Sequence, residues 1–434
     1  MRIERKYINW FIASVVLYFA YYFVYYISIS KGKIDFANVI IFSLSMLIVM
    51  IGVHRLKDGM TISSLFMVAF FCTLSFNNLN LSYLQDYKSL KDIYFFFAGP
   101  LFFIICTSLR FKGTVKSSKF GINILWVTTM IFAVHLLAQS YIFGEAGVRF
   151  LSNDWLSLSS YKYVIPGISG IVDITRWLCL MFFCETKNKY LKWLIVISLI
   201  VFAGLNAKRG DIMRILFFLG IWYFYGREKT IKNIKMKVLM ICLIGCVALG
   251  ILGNYRQAKR GWEKGQLSLM AESVVDNDFL VWTYTYSAIN FDVLKAAFID
   301  GEYNSGIGLD PLMTPVIRLT GGSNAVLEHS RQYETKGLKG FNASTFLGVF
   351  IRDAGYFYII GVVILGIILS FFESLCLSNG WIGGHVFLLL LTVLAIFGNY
   401  YVNVSYVYAF FLYVFLQMIV CSSSTSIKED RAGK

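Results

Sequence analysis

Residues 354–372 read AGYFYIIGVVILGIILSFF, a stretch without a charged side chain. A helix of about 20 apolar residues crosses the hydrocarbon core of a bilayer, so this stretch predicts one membrane-spanning helix. Comparable stretches recur along the chain and predict an all-α polytopic membrane protein with about 12 transmembrane helices. The predicted spans are 7–29, 34–53, 60–79, 92–109, 120–142, 164–184, 190–206, 211–226, 236–253, 354–372, 381–399 and 402–421.

The composition agrees with the membrane class. Of the 434 residues, 57% are hydrophobic and only 15% are charged, against roughly 25% in an average soluble domain. The net charge is +15, but the basic residues cluster between the apolar stretches, which favours a role in topology and not in nucleic-acid binding. None of the eight Cys lies in 254–353, so a disulfide scaffold is not expected.

The distribution of Lys and Arg predicts the orientation. The two most basic short loops, 110–119 and 227–237, fall on the same side of the predicted topology, which the positive-inside rule makes the cytoplasm. An even number of spans then places both termini in the cytoplasm. The first apolar run is too long for a signal peptide and is interpreted as a retained helix.

The same spans divide the chain into three parts. Residues 1–253 form a nine-helix transmembrane region, residues 254–353 form a long periplasmic loop between helices 9 and 10, and residues 354–434 form a three-helix region with a cytoplasmic tail. The loop carries many charges, but long loops are translocated largely regardless of charge.

One segment of the loop shows helical periodicity. Apolar residues recur every three or four positions from Val275 to Ala297, whereas polar residues such as Asn290 and Asp292 fall off that face. Two interpretations stay open: an amphipathic helix lying on the membrane, or a helix packed on the tops of the other spans. A second, shorter segment follows residues 308–311 and includes Arg318.

Charged residues inside a predicted span require an explanation because a charge in the bilayer is costly. Asp173 and Arg176 lie three positions apart on the sixth span, a spacing that lets them pair on one helix face. The pair is either structural or lines a polar cavity that contacts substrate.

The strongest candidate for an anion site is Asn-Ala-Lys-Arg-Gly-Asp at 206–211, on the predicted outer side. Lys208 and Arg209 directly precede a helix N-terminus, whose free N–H groups and dipole attract anions. Asp211 is positioned to cap that helix, and Arg214 follows within a turn. Cations on the outer side also oppose the positive-inside bias, and a structural role of the motif is the alternative.

Two further groups lie in the loop. Arg256 and Arg260 are four apart at its start and are candidates for phosphate or sugar contacts, with a solvated or headgroup-binding stretch as the alternative. Glu328 and His329 lie in its later part, where His329 is a candidate general base, although a lone His is more often structural. Asp353 is expected to cap the tenth span.

Cofactor chemistry has no signature in this sequence. No metal-ligand spacing, phosphate-binding glycine loop, nucleophile elbow or dinucleotide fingerprint is present, so no cofactor and no metal are expected.

The local motifs and the overall architecture resemble the Wzy-type O-antigen polymerases, also called oligosaccharide repeat unit polymerases. The resemblance covers nearly the whole chain as an architecture. Locally it is carried by Ala-Lys-Arg-Gly at 207–210, Asn-Tyr-Arg at 254–256, Asn-Ala-Ser-Thr-Phe at 342–346 and Asp-Ala-Gly at 353–355. These motifs are short and degenerate.

The resemblance implies a membrane glycosyltransferase fold and a reaction at the periplasmic face of the bacterial inner membrane. A glycan would be transferred from undecaprenyl pyrophosphate to another lipid-linked repeat unit, with no nucleotide or metal. Donor, acceptor and membrane lipid are the implied partners, with a chain-length regulator and a flippase of the same pathway as further candidates.

Three alternatives stay open. One is a structural scaffold within a polysaccharide export assembly, which would not need Arg209 placed against the positive-inside rule. An O-antigen ligase shares the architecture and the donor but transfers glycan to lipid A core. A lipid-linked oligosaccharide flippase, a transporter, has a similar length, but it is expected to show internal repeats and charges along the bundle. We find no repeat, and the candidate residues concentrate on the predicted outer side.

Overall fold

A computed structural model describes residues 36–56, 58–78, 88–111, 122–148, 164–206, 208–225, 281, 284, 289–300, 304–319 and 345–420. Within these ranges the chain is helical and contains no strand. The β-type pairing found there is an isolated bridge between Ile122 and Val420. The predicted all-α class is therefore confirmed.

The helices are numbered in chain order among the described residues. They are α1 Phe36–Arg55, α2 Ile62–Asn77, α3 Leu90–Thr107, α4 Ile124–Ala146, α5 Ile168–Glu185, α6 Lys189–Leu205, α7 Arg209–Tyr225, α8 Asn290–Leu294, α9 Asp310–Leu319, α10 Leu347–Ala354, α11 Ile359–Asn379, α12 Ile382–Leu394 and α13 Val404–Ile419. A π-helical turn, Lys295–Ile299, continues α8, and 3₁₀ turns lie at Gly355–Tyr358 and Tyr400–Val402.

Local sequence explains where several helices begin. Thr61 and Ser89 each form a capping box. The side chain of the capping residue accepts a hydrogen bond from the backbone N–H of the third helical residue, whose side chain accepts one from the backbone N–H of the capping residue. Asn123, Asn188 and Asn403 cap α4, α6 and α13 through their side-chain oxygens.

Every predicted span that falls within the described ranges coincides with a helix, whereas 7–29 and 236–253 lie outside them. Among the described residues, two stretches are long and apolar enough to cross a membrane, Ile124–Ala146 and Leu347–Asn379. Shorter apolar helices occur at Ile40–Arg55, Ile62–Asn77, Ile382–Leu394 and Val404–Ile419. The number of membrane crossings stays a prediction.

Helix α12 lies at the centre of the bundle. It packs against α2, α5, α7, α11 and α13, and every residue from Gly383 to Thr392 is buried. Close approach is possible because Gly383 has no side chain: a Cβ there would lie 2.0 Å from the backbone oxygen of Met181 on α5.

The helix ends separate into two groups. At one end, called here the Glu373 end, Arg110 after α3 contacts Glu373 of α11, and Tyr225 of α7 contacts His385 of α12. At the other end, called the Asp211 end, α5 and α7 begin and the α12–α13 connection lies beside them. This grouping agrees with the alternation of ends in the predicted topology.

The described part of the predicted amphipathic segment packs on the other helices. Val293 is buried as its periodicity predicts, but Asn290 and Asp292 are buried as well. The Asp292 carboxylate accepts hydrogen bonds from Lys88 Nζ at 2.6 Å and from Asn77 Nδ2 at 2.5 Å. For residues 289–300 the structure therefore favours a helix packed on neighbouring spans over one lying on lipid.

The prediction that Asp353 caps the tenth span is wrong. Asp353 lies inside α10, and α11 begins after Tyr358 without a side-chain cap. Its carboxylate instead accepts the backbone N–H of Asp310 at 3.4 Å, at the start of α9. The sequence could not show this because the two residues lie on different segments, 43 positions apart.

Candidate functional site

The N-terminal parts of α5 and α7 are joined by a buried ion pair. Arg176 Nη1 lies 2.7 Å from Asp211 Oδ2, and Arg176 Nη2 lies 3.2 Å from Asp173 Oδ1. The pairing of Asp173 with Arg176, predicted from their spacing, is therefore present. Arg176 also pairs with a second carboxylate, that of Asp211, which the spacing did not indicate.

A second arginine shares the same carboxylate. Arg214 Nη1 lies 3.0 Å from Asp211 Oδ1, and Arg214 Nη2 donates a hydrogen bond to Tyr400 Oη at 3.0 Å. The Arg214 guanidinium lies 5.1 Å from the centroid of the Tyr400 ring, within range of a cation–π interaction. Asp173, Arg176, Asp211, Arg214 and Tyr400 are called the Asp211 cluster below.

Asp211 does not cap α7, contrary to the prediction. Helix α7 begins at Arg209, and the Lys208 carbonyl accepts the Asp211 N–H at 2.9 Å. Asp211 therefore lies in the first turn, where a carboxylate still stabilises the positive end of the helix dipole. From this position its side chain reaches both arginines.

Burial differs sharply across the cluster. The Arg176 and Asp211 side chains are each 7% exposed, whereas Arg214 is 28% and Asp173 is 37% exposed. Arg176 and Asp211 therefore form the buried base of the site, and Arg214 and Asp173 form its accessible part.

The cluster is formally neutral, because two guanidinium groups face two carboxylates. Lys208, which is half-buried directly before α7, is a further cation beside the cluster. Among the residues that the structure describes, no carboxylate forms an ion pair with Lys208. An anion would accordingly be attracted to Lys208 more than to Arg176.

A segment of the long loop covers the same end. Helix α9, which carries Arg318, packs against the Tyr400–Val402 turn and against α13. Tyr408 Oη of α13 donates a hydrogen bond to the Pro315 carbonyl at 2.6 Å. The backbone of the Arg318 helix thus lies beside the Asp211 cluster.

The predicted site residues fall into three groups. Asp173, Arg176 and Lys208 are described with their side chains and lie at one end of the bundle. Arg209 and Arg318 are placed on α7 and α9 by their backbones. The remaining candidates, Arg256, Arg260, Glu328 and His329, lie outside the described residues, and their roles stay predictions.

Sequence reasoning missed the central position of Asp211 and the contribution of Tyr400. The spacing of Asp211 and Arg214 is the same three-residue spacing that identified the other pair, so this half of the cluster was detectable. Tyr400 lies 186 residues from Arg214 and had no signal in the sequence.

A second polar network lies at the Glu373 end. The Glu373 carboxylate, which is fully buried, contacts Arg110 at 2.6 Å, His385 at 3.1 Å and the Ile62 N–H at 2.7 Å. His385 also lies 2.9 Å from Tyr225 Oη. This network ties α2, α3, α7, α11 and α12 together and leaves no accessible carboxylate oxygen, which favours a structural role.

Metal binding finds no support in the described parts of the chain, where no group of His, Cys, Asp or Glu is arranged to hold an ion. A scan against protein-family models, a search of curated proteins and a search of solved structures found no match to this chain. The functional assignment therefore depends on the site and on the motifs.

Proposed function

We propose that the chain is a polytopic membrane glycosyltransferase of the bacterial inner membrane. It polymerises undecaprenyl-pyrophosphate-linked oligosaccharide repeat units into O-antigen or a related surface polysaccharide, at the periplasmic face. In this proposal the protein has about 12 transmembrane helices, cytoplasmic termini and no metal or nucleotide requirement. A chain-length regulator and a flippase of the same pathway are its proposed partners.

The proposal depends mainly on one observation: the Asp211 cluster and Lys208 lie together at one end of the bundle. Two described segments of the 254–353 insert, α8 and α9, cover that end. The proposed donor is amphiphilic, with its pyrophosphate at the headgroup level, and a polar site at the end of an apolar bundle suits such a molecule. The resemblance to the Wzy-type polymerases adds the reaction class.

The proposed reaction is a displacement at the anomeric carbon of the donor sugar. The acceptor hydroxyl oxygen forms the new glycosidic bond, and the bond from that carbon to the pyrophosphate oxygen breaks. Lys208, Arg209 and Arg256 stabilise the negative charge that develops on the departing undecaprenyl pyrophosphate. His329 or Glu328 takes the hydroxyl proton, a task for a base with a pKa near the working pH.

A deletion strain tests the proposal through its surface polysaccharide. A single repeat unit attached to the lipid A core is the result expected for a polymerase, because ligation continues without chain growth. Loss of all attached O-antigen would contradict the proposal and indicate a ligase or a flippase. The two outcomes are distinguished on one gel.

Complementation of that strain then tests the site. Arg209→Ala and Arg256→Ala are each expected to abolish the polymer at normal protein levels, and Arg→Lys is expected to impair it because an ammonium does not replace the bidentate guanidinium. Arg55→Ala is the matched control, since Arg55 is exposed at the Glu373 end and bonds to Ser108. Normal ladders from both site variants would refute the pyrophosphate assignment.

A further inference from the structure

Beside the Asp211 cluster lies a group of buried polar atoms that have no partner. The Tyr406 hydroxyl and both amide atoms of Asn399 are buried and form no hydrogen bond with any residue in the described ranges. The Tyr406 residue is only 4% exposed. Buried polar groups in proteins are nearly always hydrogen-bonded, so each of these atoms indicates an absent partner.

Tyr400 connects these residues to Arg214. Tyr406 is in the first turn of α13, and its ring centroid lies 5.4 Å from that of Tyr400. The same Tyr400 ring lies 5.1 Å from the Arg214 guanidinium. Asn399 directly precedes Tyr400, whose hydroxyl accepts the Arg214 hydrogen bond. The unpartnered atoms and the accessible guanidinium therefore belong to one region.

The chemistry of this region suits a neutral polyol more than an anion. Its two guanidinium groups are already compensated by Asp173 and Asp211, so no net positive charge is left to attract phosphate. The tyrosine hydroxyl both donates and accepts, and the asparagine amide offers one donor group and one acceptor. A sugar hydroxyl has the same dual character.

Aromatic rings enclose the region. The Trp177 ring lies 4.8 Å from the Tyr406 ring, with 34° between their planes, and both residues are buried. The Tyr400 ring packs against Tyr406 and against the partly exposed Arg214 guanidinium. Small-molecule sites commonly combine apolar and aromatic walls with a few placed polar groups. A sugar ring offers both an apolar face and a rim of hydroxyls.

We propose that Asn399, Tyr400, Tyr406 and Arg214 form a subsite for an uncharged sugar ring of the repeat unit. The subsite is separate from Lys208 and Arg209, which bind the pyrophosphate. The inference rests on the proposed function for the identity of the glycan. In this proposal Arg176 supports the subsite from its buried base, and Asp173 contributes a compensating negative charge.

Binding to the purified full-length protein in detergent tests the subsite. The probe is the oligosaccharide released by mild acid from the lipid-linked repeat unit of the strain of origin, and inorganic pyrophosphate is the comparison ligand. Tyr406→Phe and Asn399→Ala are each expected to weaken oligosaccharide binding by roughly 3- to 10-fold, the effect of losing one hydrogen bond between neutral groups. Pyrophosphate binding is expected to be unchanged.

Tyr413→Phe is the control variant. It also removes one hydroxyl from a buried tyrosine, but that hydroxyl donates to Glu185 at the opposite end of the bundle, at 2.6 Å. It is expected to leave oligosaccharide binding at the wild-type level whatever it does to stability. A loss of binding in this control equal to that in Tyr406→Phe would overturn the proposal.

Three other results would also overturn it. These are unchanged oligosaccharide binding in both site variants, loss of pyrophosphate binding in Tyr406→Phe, and absence of oligosaccharide binding by the wild type, which would leave ordered water as the partner of the buried atoms. The proposed function fails differently: it fails if wild-type protein binds the oligosaccharide but does not polymerise lipid-linked units.

Discussion

Asp211→Asn removes the one carboxylate that serves both arginines of the cluster. Arg176 is 7% exposed and loses its 2.7 Å partner, which leaves a buried cation with only the more exposed Asp173. Breaking a buried ion pair on one side typically costs about 3–5 kcal/mol. Arg214 is 28% exposed, so its share is expected to stay under about 1 kcal/mol.

The midpoint of unfolding in mixed detergent micelles measures this cost. Asp58→Asn is the matched control because Asp58 is exposed in the α1–α2 connection. The double variant Asp211→Asn with Arg176→Met is expected to recover at least half of the loss, since it removes the uncompensated charge as well. An Asp211→Asn variant as stable as the control would refute the buried-pair interpretation.

Three further predictions concern packing, catalysis and topology. Gly383→Ala is expected to destabilise the protein by about 1–3 kcal/mol because the new Cβ would meet the backbone of α5. Gly144→Ala is expected to be neutral or stabilising because the space around Gly144 is open. The midpoints of unfolding of the two variants are compared. His329→Gln is expected to bind donor normally and to lower transfer by roughly 10²–10⁴-fold in a purified assay, and near-normal turnover would exclude a proton-transfer role. Reporter fusions are expected to place residue 300 in the periplasm and residue 115 in the cytoplasm, and a cytoplasmic signal at 300 would overturn the site assignment.

Helix positions were predictable because apolar stretches and caps are local signals. The predicted span 60–79 becomes Ile62–Asn77, and its beginning is fixed by Thr61 and Ser64, two residues that lie three positions apart in the sequence. The pairing of Asp173 with Arg176 was predictable for the same reason. Each of these features depends on neighbours within about one helical turn.

Features that depend on distant partners were not predictable. Asp292 was assigned to a polar face, but Lys88, 204 positions away, allows its burial. Asp353 was assigned to the wrong helix because its partner is on α9. Periodicity reports the polarity of a residue, and it carries no information about a compensating charge elsewhere in the chain.

The candidate site was predictable in part. Charge inside the sixth predicted span pointed to Arg176, and charge directly before a helix N-terminus on the predicted outer side pointed to Lys208. The polar residues of the α12–α13 connection gave no such signal, since Asn399, Tyr400 and Tyr406 look like ordinary boundary residues in an aromatic-rich sequence. Their significance comes from burial without partners.

Reconstitution shows whether the purified protein alone polymerises lipid-linked repeat units. Purified protein in liposomes would be supplied only with undecaprenyl-pyrophosphate-linked repeat units, without nucleotide sugar, added metal or lipid A core. We expect a ladder of lipid-linked products that grows by whole repeat units, with release of undecaprenyl pyrophosphate, and no ladder from Arg209→Ala. Recovery of the repeat unit unchanged from the wild-type reaction, with transfer observed only when lipid A core is added, would contradict it.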